Sequence, residues 1–142
     1  MMGSVFKEFN NILGTINSAY HEAARKMNLS DSVLDMLYVF DHYNGSCNQS
    51  ALYKESGQTK STINSAVKKM EKEGYLTLSA GTGRNTCVTL TEKGQELMNR
   101  TVRRVIQFES DVYDSWSPED QETFIRLNLD FAKKFTEKVK TL

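Results

Sequence analysis

The chain has 142 residues, 39% of them hydrophobic and 25% charged, and its 18 basic and 18 acidic side chains balance. That length suits one domain with a real core, and the composition excludes a disordered, collagen-like or cysteine-stapled chain. No run of about 18 apolar residues exists, so no membrane span is expected. Met1-Met2-Gly3-Ser4-Val5-Phe6-Lys7 also lacks the basic and apolar regions of a signal peptide.

The neutral total hides a gradient. Residues 54–104 hold 10 Lys/Arg against 5 Asp/Glu, residues 1–53 hold 3 against 5, and residues 105–142 hold 5 against 8. The middle third is therefore net positive between two negative flanks. Phosphate neutralisation requires a basic face of this kind. The two cysteines, Cys47 and Cys87, form no disulfide framework and fit a reducing, cytoplasmic setting.

In chain order, Phe6, Phe9, Leu13, Ile16, Tyr20, Ala23 and Met27 recur every three or four residues and predict an amphipathic first helix over 5–27. Ser30 caps a second helix to about Tyr43, apolar on most faces and so expected at the centre of the fold. Asn44-Gly45 ends it. Asn48 is placed to cap a short third helix, which closes at Ser56-Gly57. Thr59 caps a fourth through Glu73, with Ile63, Ala66, Val67 and Met70 as its inner stripe, and Gly74 stops it. Two short helices joined by a tight glycine turn are a helix-turn-helix. Tyr75–Leu78 and Thr86–Leu90 read as two strands around the glycine-rich loop 79–85. A hairpin in that place is a wing. Thr91 caps a fifth helix to about Tyr113, and Ser117-Pro118-Glu119-Asp120 starts a sixth.

This order resembles the MarR family of winged-helix regulators. The stretch from Thr59 to Leu76 is similar to that family's recognition helix with its exit glycine. Leu90-Thr91-Glu92-Lys93-Gly94 is similar to the segment after its wing, and Ser117-Pro118-Glu119-Asp120 to the start of its last helix. The expected fold is mostly α (α+β): a winged helix-turn-helix with a two-stranded wing plus long N- and C-terminal dimerisation helices. One domain spans residues 1–142, with a DNA-binding lobe over about 30–92 and a helical dimerisation region in 1–29 and 93–142. The resemblance implies a homodimer joined through the first, fifth and sixth helices. The long apolar stripes there, including Phe124, Phe131 and Phe135, independently ask for cover.

On the fourth helix Ser61, Ser65, Lys68 and Lys72 point away from the inner stripe, flanked by Thr62, Asn64 and Lys69. Short polar side chains reach base edges while lysines neutralise phosphates. With Arg84 at the wing tip, Lys54 and Lys60 beside the turn and Thr59 at its end, these residues make up the expected DNA-binding set. Three departures from the family pattern suggest weaker, less salt-steep binding. Thr82 stands where an aspartate usually braces the wing arginine, Thr77–Ala80 carry no basic residue, and Ser65 replaces an arginine of the recognition helix.

The resemblance also implies an effector cleft, for which Tyr20, Met36, Phe40 and Val102 are the candidate lining. Redox-sensing relatives carry a cysteine in the first helix and this chain has none, so no sensing role is expected of Cys47 or Cys87. His21 and His42 lie apart, with no carboxylate or cysteine at metal-ligand spacing, so no metal or cofactor is expected. No phosphate loop, triad or paired-carboxylate motif is present, and an enzyme is not expected. The expected partners are double-stranded DNA, a second copy and an effector, in a transcriptional regulator acting on a near-palindromic operator. The alternative is a winged-helix protein-interaction module whose DNA binding is reduced or lost.

Overall fold

The computed structural model describes residues 2–142. The elements are α1 (Met2–Lys26), α2 (Asp31–His42), β1 (Ser46–Asn48), α3 (Gln49–Ser56), α4 (Lys60–Lys72), β2 (Leu76–Ala80), β3 (Thr86–Leu90), α5 (Glu92–Arg100), α6 (Val102–Asp114) and α7 (Pro118–Val139). The chain divides into two compact units, one ending at Val105 and one of Ile106–Leu142.

Local chemistry starts four of the helices where the sequence predicts, whereas Asn48, at the head of α3, makes no side-chain cap bond. The hydroxyls of Ser30, Thr59, Thr91 and Ser117 accept from the backbone N–H three residues on, each bond being worth about 1 kcal/mol to its helix. Asn44 and Gly45 both take positive φ at the exit of α2, as Gly74 does beyond α4.

The first unit is built around α2. Leu34, Met36, Leu37 and Phe40 are almost wholly enclosed, and Leu52 of α3, Ile63 and Val67 of α4, Val88 of β3 and Met98 of α5 join them. Full burial of each such side chain contributes about 1.5–3 kcal/mol. These burials outweigh the caps and fix how α3 and α4 lie on α2. Polar ties add to this: Gln58 Nε2 donates to Asp35 at 2.8 Å, and Tyr43 Oη donates to Glu55.

Two elements differ from expectation. The sheet has three strands in the order β1-β3-β2, all antiparallel. The wing hairpin is thus extended by Ser46-Cys47-Asn48, pairing with Thr89, Val88 and Cys87. The fifth helix is also broken, because Thr101 leaves helical geometry at φ −123°, ψ −96°. Its side chain is buried and its hydroxyl donates to Leu97 O at 2.6 Å. This back-bonding is a known cause of helix bends.

In the second unit, Trp116 packs between Tyr113 and Phe124, with ring centroids 6.0 and 4.9 Å away. Gln121 Nε2 donates to Tyr113 O, which closes the turn into α7. No residue of α7 is buried. Phe124, Ile125, Leu127, Leu129, Phe135 and Val139 all stand exposed. No helix among the described residues is long and apolar enough to cross a membrane.

Candidate nucleic-acid interface

The helix-turn-helix runs from α3 through the left-handed Gly57 (φ 74°) into α4. Ile63, Val67 and Met70 are buried, so the opposite side of α4 must face solvent. Ser61, Ser65, Lys68, Lys69 and Lys72 are exposed there. Neither serine hydroxyl is spent on a hydrogen bond among the described residues, and Lys54, Lys68, Lys69 and Arg84 make no ion pair among them. Both hydrogen-bonding capacity and charge are therefore free for a partner.

The other candidates on this helix are engaged. Thr59 is the N-cap, accepting from Thr62 N at 3.1 Å and donating to Thr62 Oγ1 at 2.8 Å. Lys60 lies over the Tyr53 ring, 6.0 Å from its centroid. Asn64 is half-buried and accepts from Gln49 Nε2 at 2.7 Å. Gln49 and Tyr53 carry no motif that marks them; only the pairing of α3 with α4 reveals them. Lys54 lies exposed in the last turn of α3.

At the wing tip, Asn85 N donates to Thr82 O at 3.2 Å and Gly81 N to Asn85 O at 2.8 Å, with Gly83 at φ 65°. The positive φ favours glycine there and leaves Arg84 exposed at the end of the loop. The strands behind it, Leu76–Ala80 and Thr86–Leu90, carry no charged residue at all.

The segment after the wing clamps the exit of α4. Thr91 Oγ1 donates to Gly74 O at 2.6 Å, Thr91 N donates to Tyr75 O at 3.0 Å, and Lys93 Nζ donates to Glu73 O at 2.6 Å. The same ammonium sits 4.4 Å from the centroid of the Tyr75 ring. A Cβ on Gly94 would meet Tyr75 O at 2.2 Å, so only glycine allows this approach. Lys93 is exposed but its ammonium is engaged by the fold, so not all of the basic excess of the middle third is free for a partner.

Residues 27–84, most of this lobe, match the MarR family model. The chain carries the MarR fold. A MarR family regulator from Neisseria meningitidis superposes with TM-score 0.77 at 18% identity, covering 95% of both chains. A MarR family regulator from Silicibacter pomeroyi gives 0.73 at 18%, covering 93% of this chain and 90% of the other. Bordetella bronchiseptica BpsR, described as regulated in its DNA binding by 6-hydroxynicotinic acid, gives 0.66 at 15%, covering 88% and 98%. No curated protein sequence matches the chain. The resemblance drawn from the sequence holds, and the architecture is that of MarR transcriptional regulators.

Of the candidate effector residues, Met36, Phe40 and Val102 are wholly enclosed in the core and present no surface to a ligand. Tyr20 is half-buried, edge-on to Tyr38, and lines a shallow cleft with Asn17, His21, Asp31, Leu34 and Asp35. His21 Nδ1 lies 2.9 Å from Asp31, a pairing across the Asn28 turn that sequence spacing conceals. Cys87, on β3, shares the outer face of the sheet with Ser46 and Thr89, and its thiol lies below the ordinary range chiefly because Ser46 hydrogen-bonds to it. Burial pushes the Cys47 thiol up to about 11.

Proposed function

We propose that the chain is a homodimeric, sequence-specific DNA-binding transcriptional regulator without catalytic activity, acting in the cytoplasm. The observation that carries this reading is the outer side of α4. Unspent serine hydroxyls sit beside unpaired lysines on a helix that follows a tight turn and precedes a wing. Ser61 and Ser65 would meet base edges, and Lys68, Lys69 and Lys54 phosphates. Arg84 would enter a narrow minor groove, where the potential is most negative.

Dimerisation is supported by the uncovered apolar faces on each unit. Phe6, Ile12, Leu13 and Ile16 of α1 are exposed, and α7 has no buried residue. A second copy covering them would bring two α4 helices together, and half-sites of a near-palindrome read by such a pair are spaced about 34 Å apart. An aromatic-acid effector, such as 6-hydroxynicotinic acid is for BpsR, is a further proposed partner. The cleft at Tyr20 is lined by Asp31 and Asp35 together with His21, which lies 2.9 Å from Asp31.

The charge-free wing strands favour one rival, a protein-interaction module. Fluorescence anisotropy with random duplex at low salt separates the two, and no binding by the intact protein would favour the rival. If DNA is bound, Lys68→Ala should weaken binding to every duplex and lower the salt slope by about one.

A further inference from the structure

The seam between α3 and α4 is held by two rungs. Gln49, the first residue of α3, donates from Nε2 to Asn64 Oδ1 at 2.7 Å, a half-buried bond. One turn along, Tyr53 lies under the Lys60 ammonium, 6.0 Å from its ring centroid. Gln49 and Tyr53 are four apart on α3, and Lys60 and Asn64 are four apart on α4. Each pair shares one helix face, so the rungs join two continuous faces. Asn64 lies about 100° round α4 from buried Ile63, on the flank turned to α3, whereas Ser61 and Ser65 lie on the outward side.

An asparagine reads adenine through both ends of its amide, accepting with the oxygen and donating with the nitrogen. Asn64 Oδ1 already accepts from Gln49. Its second lone pair stays open, but aiming both ends of the amide at one adenine would turn the side chain away from α3 and cost the rung. The outward readers are serines, whose hydroxyls stand one bond from Cβ. Side chains that short reach base edges only if the helix backbone lies close to the groove floor at one angle. Such readers demand a helix whose tilt is set before DNA arrives.

We infer that Gln49 and Asn64 are positioning residues that fix the tilt of α4 against α3, and that base discrimination falls to Ser61 and Ser65. This assignment rests on the DNA-binding reading above. Losing the rung lowers the fraction of protein in the binding-competent tilt, which weakens apparent affinity by that fraction whatever the DNA sequence.

The test combines Gln49→Ala, Asn64→Ala and the double variant with Ser65→Ala as comparator. Each is measured for affinity to a selected operator, for sequence preference by enrichment from a random duplex pool, and for hydrogen exchange of α4 amides. Either single variant should weaken binding about fivefold, the equivalent of roughly 1 kcal/mol. The double variant should be no weaker than either single. Their sequence preference should match the parent's, α4 protection should fall alike in both, and Ser65→Ala should shift the preference. Asn64→Ala altering preference while Gln49→Ala does not would overturn the assignment and leave DNA binding standing. So would additive losses. An unsubstituted protein that binds no duplex would overturn the DNA-binding reading and this assignment with it.

Discussion

Gly94→Ala inserts one methyl group where α5 passes the exit of α4. The added Cβ would stand 2.2 Å from Tyr75 O, well inside the 3.4 Å at which ordinary contact begins, and 3.0 Å from Leu90 Cδ2. The nearest obstacle is a backbone carbonyl that also accepts from Thr91 N at 3.0 Å, so it cannot swing aside without losing that bond. Overpacking of this kind costs about 3 kcal/mol at the upper end of its range, and the strained hydrogen bond adds about 1 kcal/mol. Against this, replacing a helical glycine by alanine returns about 1 kcal/mol of backbone entropy. The net loss is about 3 kcal/mol, or roughly 10 °C in Tm for a chain of this size. Gly14, inside α1, has nothing within 4 Å of its would-be Cβ. Gly14→Ala should therefore stabilise, by about 0.5–1 kcal/mol. Urea unfolding followed by circular dichroism at one protein concentration compares the pair. A Gly94→Ala protein as stable as its parent would refute the clamp.

Three further outcomes are expected. Arg84→Ala should weaken binding most at operators flanked by A-tracts, whose narrow minor groove attracts a guanidinium, as competition between A-tract and mixed-sequence duplexes will report. A thiol reagent should modify Cys87 before Cys47 between pH 7 and 9. The Cys87 pKa is lowered, so its thiolate appears earlier as pH rises, whereas Cys47 at about 11 stays protonated. Ser46→Ala removes the largest lowering contribution and should slow the Cys87 reaction in a pH–rate profile. Phe135→Asp, at an exposed position of α7, should shift the protein to a monomer in analytical ultracentrifugation; an unchanged dimer would mean that this face is not the interface.

What the sequence disclosed and what it hid divide by range. Caps such as Ser30 and Thr59 bond to an N–H three residues on, and the stripe at Ile63, Val67 and Met70 repeats within one helix, so both are readable from local spacing. β1 is not. Its three residues show no alternation, and its partners Cys87 to Thr89 lie some forty positions away. The break at Thr101 is hidden because threonine is tolerated in helices and its bond to Leu97 leaves no compositional trace. In the candidate site, the outward serines and lysines were legible from helical periodicity. The tie from Gln49 to Asn64 was not, because it joins two elements whose mutual approach is set by burial on α2.

The exit clamp also has a bearing on protein engineering. Glu73 and Gly74 contribute carbonyls to a joint completed by Thr91 and Lys93, so chain order and mechanical unit do not coincide here. A graft that imported another regulator's reading helix together with its own exit would meet a foreign socket and sit askew. Exchanging only the outward residues between Ser61 and Lys69, with the joint left untouched, should transfer a new operator preference onto an undisturbed frame.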